Sequence, residues 1–434
     1  MKFPSHLLYL IALVLAFACR APRENNSSKT PGFTLIQTER FVFNSFVDCN
    51  MAEAWIGDTL RIFPGKYGED PVWGEAKELE YAQGTNPDEV FLRKPDEFSD
   101  PLLPPNAPPG KPGLHGAVWF ETVYQDQDDH SGRTLYALYH NENYPATLPY
   151  DSATAQGYLD KNWPEGLRGP ASAAAVPRIG IMKSVDGGKS WEDKGILLED
   201  LQERMVLKPH NTSLTFAGGV GDPSCVANGD YLYVFFGEYS YPDSYHAKTY
   251  DPSLEWSGQC ISSARVALKD LDAPTGKAKR WDGSGFNALF NGVGKPIASL
   301  QIPKQQGGGA VNVANGKFHW GPSVSWNTYL NCWVMLMGKV DSTLWRGSEL
   351  YISFNTNQDL SQKDNSQAWS KPQLLVSRPG HVLWYPSLQP MNTAEDIQNR
   401  YTSTRLGKRA RLFFKDMKGD EHVYISDYII DFER

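Results

Sequence analysis

Ionisable side chains stand beside apolar, strand-forming runs at three places in the 434-residue chain. Asp48 opens the run DCNMAEAWIGDTLRIFPG (Asp48–Gly65), and Asp222 lies at the start of GDPSCVANGDYLYVFFGEY (Gly221–Tyr239). Glu121 sits inside WFETVY, and His140 and Glu142 close the next run, LYHNE. Hydrolysis of a glycosidic bond needs one protonated and one ionised carboxyl flanking the anomeric carbon. A histidine between carboxylates can fix a proton or raise a pKa. Asp48, Glu121, Asp222, His140 and Glu142 are therefore candidates for acid–base work. Each has a plainer alternative. Asp222, before Pro223, could cap a turn and Asp48 a loop. Glu121 could face solvent from its strand, and His140 with Glu142 could mark an exposed hairpin end.

Elements that bring such groups together must be short strands. Gly (38) and Pro (30) are frequent, and so are Trp (13), Tyr (21) and Phe (20), a balance that suits strands and turns. No stretch combines a sustained helical period with helix caps. A unit of polar opening, apolar strand, turn and aromatic-rich strand recurs at Asp48–Gly65, His115–Glu142, Gly221–Tyr239 and His319–Gly338. A fifth copy begins at Trp384-Tyr385-Pro386-Ser387 and returns through ARLFFK and HVYISD. Short β-rich segments at Arg178–Ser184, Ser263–Leu268 and Glu349–Phe354 supply outer strands. Five such copies predict an all-β fold, a five-bladed β-propeller, whose ring closure removes open sheet edges. Asp100–Gly113, Tyr150–Pro177 and Gln305–Gly309 read as loops on its rim.

Aromatic residues at the openings of the later copies, Trp320, Trp384 and Tyr385, are expected to meet a sugar, together with His319. Most other aromatics fill the gaps between blades. Asp126, Asp128 and Asp129 lack the Gly and distal Glu of a calcium-binding loop and read as a solvated turn. Cys49, Cys225, Cys260 and Cys332 lack CxxC pairing, and Cys225 and Cys332 are expected as buried thiols. No ligand spacing points to a metal or to another cofactor.

Two motifs carry a family resemblance. SVDGGKSW (Ser184–Trp191) matches the Asp-box, S-x-D-x-G-x-[ST]-W, of sialidases and other propellers, a hairpin turn usually far from the reaction centre. Gly221-Asp222-Pro223-Ser224, followed by DYLYVFFGEY, resembles the opening of a blade in five-bladed glycoside hydrolases of family 43 and their relatives. The resemblance implies Asp48 as general base and Asp222 as modulator of the acid's pKa. Glu121 is then the expected acid, with an exchange of roles with Glu142 left open. One departure stands out. In family 43 a glutamate from a later blade is often the acid, whereas the fourth copy here opens with His319-Trp320 and has no inner carboxylate. The resemblance implies a hydrolase of poly- or oligosaccharides. A non-catalytic glycan-binding protein and a polysaccharide lyase using His140 or a Tyr are the alternatives.

The N-terminus sets the expected compartment. Lys2 precedes an apolar run, Leu7–Phe17, too short to span a bilayer and suited to a signal peptide. Ala16-Phe17-Ala18 ahead of Cys19 resembles a lipoprotein cleavage site, with Cys19 as the acylated residue. The expected organisation is a signal peptide over 1–18, a tether over 19–32 and a single domain over 33–434. Simple secretion is the alternative to a membrane-anchored envelope protein. A net charge of −8, with no basic block beyond Arg405–Arg411, excludes nucleic acid as an expected partner. The resemblance implies a carbohydrate substrate, and Cys19 implies contact with a membrane.

Overall fold

Apolar and polar residues alternate along many short segments, and the regular structure of the described residues is mostly antiparallel strand. The computed structural model describes residues 30–45, 47–68, 79–107, 113–114, 116–143, 176–200, 219–239, 259–292, 294–302, 317–341, 345–362 and 364–434. The expected signal peptide, Cys19, most of the tether, His115, Gln305–Gly309 and most of Tyr150–Pro177 lie outside them. The compact unit is Pro31–Arg434.

Strand β1 (Gly32–Phe43) comes first. Blade I holds β2 (Glu53–Ile56) and β3 (Thr59–Ile62); β4 (Lys66–Tyr67) leaves it, and β5 (Ala82–Gly84) completes it. Blade II comprises β6 (Ala117–Gln125), β7 (Leu135–Asn143), β8 (Val176–Ser184) and β9 (Glu192–Leu198), with β4 against the edge of β6. Blade III runs through β10 (Val220–Asn228), β11 (Tyr231–Glu238), β12 (Cys260–Ala267), β13 (Lys279–Trp281) and β14 (Phe286–Leu289). Blade IV is β15 (Phe318–Asn327), β16 (Cys332–Val340), β17 (Glu349–Asn355) and β18 (Gln373–Ser377). Blade V starts with β19 (Val382–Pro390); β20 (Arg405–Leu406) crosses back to pair in parallel with β15. Strands β21 (Arg409–Lys418) and β22 (Glu421–Glu433) finish the chain, and β1 pairs with β22, so both ends of the unit share blade V. These five sheets form the expected five-bladed propeller.

The core lies between blades. One apolar cluster fills each junction, for example Phe63 and Ala54 against Phe120 and Tyr139 between blades I and II. Leu138 and Ile181 meet Val234 and Phe236 between II and III, and Tyr233 and Phe235 meet Met335 and Trp333 between III and IV. Leu336 and Ile352 meet Leu412 and Ile425 between IV and V, and Trp55 and Leu60 meet Phe413 and Tyr424 where V closes on I. Each junction buries several large side chains worth roughly 1.5–3 kcal/mol apiece. Cys225 and Cys332 are buried in two of these clusters, and all four described cysteines are free thiols.

The turn Ser184–Trp191 joins β8 to β9. Asp186 accepts from the backbone of Lys189 and Ser190 at 3.0 and 2.9 Å, and Trp191 lies edge-on to Phe63 and Phe120. Gly188 has φ +90, and a Cβ there would come within 2.4 Å of Phe63, so the turn admits no larger residue. Asp129, in the turn between β6 and β7, accepts from the amides of Ser131, Arg133 and Thr134. Its carboxylate organises backbone.

Candidate active site

Four of the five inner strands break register at the same height. The residues skipped by the ladder are Glu121 in β6, Asp222-Pro223 in β10, Gly321-Pro322 in β15 and Tyr385-Pro386 in β19. Proline has no N–H to give a ladder, which accounts for the skip at the three x-Pro positions, whereas Glu121 is skipped without one. Asp222, Gly321 and Tyr385 all adopt positive φ, at 48°, 59° and 49°. Blade I contributes the segment just ahead of β2, which carries Asp48 and Asn50. The five copies thus place Asp48, Glu121, Asp222, Gly321 and Tyr385 around the funnel end of the inner strands.

Their groups share one space. Glu121, His140 and Asp222 are all buried, and each brings a polar atom to within 4.8 Å of the others. Burial first, and then the Asp222 charge, push the Glu121 carboxyl well above the usual carboxylate range, against the Asn50 amide that donates to it at 2.8 Å. Burial also raises Asp222, opposed by the positive character of His140 and by the Tyr239 hydroxyl that donates to Asp222 Oδ2. The Asp222 charge disfavours a second negative charge on Glu121. Asp48 stands apart: its side chain is 29% exposed, and Lys415 Nζ donates to it at 2.5 Å.

His140 organises the pair. Its Nδ1 accepts the Asp222 backbone N–H at 3.0 Å, while Nε2 faces Glu142 Oε1 at 3.6 Å. Burial pulls the imidazole pKa down, but the Glu142 hydrogen bond and the charges of Asp222, Glu142 and Asp48 outweigh it, and the net direction is up. Gly221 permits this approach, since a Cβ there would lie 2.5 Å from the ring. By residue type, Glu121, His140 and Asp222 are a divalent-cation set. As built, Nδ1 faces the Asp222 backbone and Nε2 faces Glu142.

The expected sugar-facing residues divide. Trp320 is 4% exposed and Tyr385 8%, and the Trp320 ring packs on Trp345, Trp384 and Tyr385. Trp384 keeps a partly exposed ring, with Lys415 Nζ 5.4 Å from its centroid. His319 lies elsewhere: its Nδ1 is 2.6 Å from the Leu300 carbonyl, and its ring lies against Tyr351. Asn50, Tyr239, Lys415 and Gly321 escaped the sequence reading. The signal for Gly321 was the repeated x-Pro-Ser of GDPS, WGPS and WYPS, which aligns Asp222, Gly321 and Tyr385.

A cavity of about 730 Å3 opens at the other ends of the inner strands, lined by Glu53, Gln125, Asn228, Trp326 and Arg405 among others. It shares no residue with the carboxylate cluster.

No protein-family model matches the sequence, and no curated protein matches it significantly. Solved structures do resemble it. They include an arabinanase from Bacillus subtilis, 8% identical over 90% of this chain and 95% of that one, with TM-score 0.40. An α-L-arabinofuranosidase from Lactobacillus brevis is 11% identical over 87% and 89%, with TM-score 0.46. An N-acetylgalactosamine deacetylase from F. plautii is 10% identical over 92% and 95%, with TM-score 0.42. Likeness at this distance concerns architecture and assigns no reaction.

Proposed function

We propose that the protein hydrolyses glycosidic bonds of a poly- or oligosaccharide, with Asp48 as general base, Glu121 as general acid and Asp222 setting the proton affinity of Glu121. The observation that carries this reading is the contrast between two carboxyl environments in one funnel. Glu121 is buried and driven toward its acid form, while Asp48 is partly exposed and ion-paired with Lys415. The reaction needs a carboxyl held in its acid form, and the burial of Glu121 supplies one. His140, held between Glu142 and Asp222, keeps the pair oriented.

A glycan screen of the full chain tests it, read by new reducing ends and by absorbance of an unsaturated product. New reducing ends without the chromophore support hydrolysis. A rising chromophore points to a lyase, and retention on a glycan without product would leave a binding protein.

The same reading extends to location. The signal-like start and Cys19 support export and anchoring of the envelope-facing domain by a lipid on that cysteine. Cells fed labelled palmitate should label the wild-type chain and not the Cys19→Ser variant; equal labelling of both would end the idea.

A further inference from the structure

Three sister positions in the funnel have the same backbone and different contents. Asp222, Gly321 and Tyr385 each precede Pro-Ser, each is skipped by its ladder, and each has φ between 48° and 59°. A glycine with positive φ is ordinarily explained by its conformational freedom. That explanation fails here, because Asp222 and Tyr385 carry full side chains in the same conformation. What glycine supplies at 321 is space. A Cβ built there meets nothing within 4 Å among the described residues.

The gap adjoins the reactive groups. Asn50 donates its backbone N–H to Glu121 and its side-chain Nδ2 to the Pro322 carbonyl at 3.3 Å, which sets the Asn50 amide between the acid and the Gly321-Pro322 backbone. The Pro322 carbonyl fixes the orientation of that amide, since only its nitrogen can donate there. Its oxygen, Oδ1, is then a buried acceptor with no partner among the described residues. A buried acceptor left unpaired is costly, and a ligand that donates to it recovers the loss.

We propose that Gly321 determines specificity. The missing side chain leaves a recess beside Glu121 that receives an exocyclic arm of the substrate sugar, and Asn50 Oδ1 accepts a hydrogen bond from that arm. The substrate class is then a hexose-type glycoside carrying a hydroxymethyl or acylamino arm, and a bare pentoside leaves the recess unfilled. This rests on the glycosidase reading for the reaction but not for the recess.

The test compares aryl hexosides and N-acetylhexosaminides with aryl arabinofuranosides and xylosides, using wild type, Gly321→Ala and Gly321→Tyr. The tyrosine variant copies the residue of the sister position 385, and the alanine variant adds one methyl group to open space, so at least one is expected to keep the wild-type thermal midpoint. Wild type should prefer the hexosides. Gly321→Tyr should lower kcat/KM for them about tenfold or more, chiefly through KM, while pentosides change by less than about twofold. A wild-type preference for pentosides, or an equal change in both classes by a variant with an unaltered midpoint, overturns the proposal. If wild type cleaves none of these glycosides, saturation-transfer NMR with methyl hexosides and methyl pentosides separates the two readings. Hexoside binding that weakens in Gly321→Tyr would keep the recess and discard the reaction. No binding, or equal binding by both proteins, would discard the recess.

Discussion

Replacing Glu121 with Gln should lower kcat on a cleaved glycan by about 10²–10⁴, the usual worth of a positioned general acid. KM should change little. The amide is nearly isosteric and can still accept the Asn50 N–H, so the fold around it is retained. The pH profile gives the sharper check. Burial and the Asp222 charge both penalise the Glu121 anion, so the acid form persists where an exposed glutamate is already ionised. Activity should therefore extend to higher pH than an ordinary glutamic acid allows, and fall as pH rises past that raised value. Tyr239→Phe provides the companion measurement. Loss of its hydroxyl removes a donor that favours the Asp222 anion. Asp222 then competes better for a proton, Glu121 carries one less often, and kcat drops at neutral pH while KM holds. The deficit should shrink at lower pH, where both carboxyls are protonated. A Tyr239→Phe enzyme with a uniform loss at every pH would show only a packing role, and a fully active Glu121→Gln enzyme would remove Glu121 from the reaction.

Much of this arrangement was legible because the propeller repeats itself. The recurring opening motif marks the start of each blade, and it drew attention to Asp48, Glu121 and Asp222. His140 was legible as a neighbour of Glu142. Its stronger tie, to the Asp222 amide across the II–III junction, was not, because sequence spacing carries no information on which blades touch which ring. Lys415 lies 367 residues from Asp48 and meets it only because β21 closes the ring beside blade I. Tyr239 ends an aromatic run in which nothing distinguishes a core ring from one whose hydroxyl holds a carboxylate. His319 is the converse case. It stands beside Trp320 in the same strand, so the two side chains point to opposite faces, and the His319 ring faces the Leu300 carbonyl and Tyr351. Gly321 was hidden because a glycine before proline reads as a turn until its sister positions prove to hold side chains.

Stability should fall with rising pH through the neutral range, and Glu53→Gln should remove much of that fall. Glu53 is 4% exposed at the opposite end of the channel, at the edge of the cavity. Burial pushes its carboxyl up to about 8, although the Ser403 backbone N–H donates to it and favours the anion. The Gln389 amide, with its nitrogen toward the carboxyl, donates to both oxygens at 3.1 and 2.8 Å. No cation is among the groups that shift Glu53, so its ionised form is stabilised by neutral donors alone. Below the ordinary value of 4.5, folded and unfolded chains both hold the proton and the group is neutral in its effect. Between 4.5 and about 8 the unfolded chain releases the proton while the folded chain keeps it, and stability is progressively lost. Above that range both forms are ionised and the loss levels off. Its full size is on the order of 5 kcal/mol, since each pKa unit between 4.5 and about 8 corresponds to about 1.4 kcal/mol. Glutamine keeps an acceptor for Ser403 and cannot ionise, so the variant's thermal midpoint should cross that of wild type as pH rises and exceed it at pH 9. Glu121 and Asp222 titrate in the same direction, so both proteins retain some slope, and the difference between the two curves is the quantity that reports Glu53. Parallel curves would mean that Glu53 is charged in the fold at neutral pH and that the channel end is wetter than its burial implies.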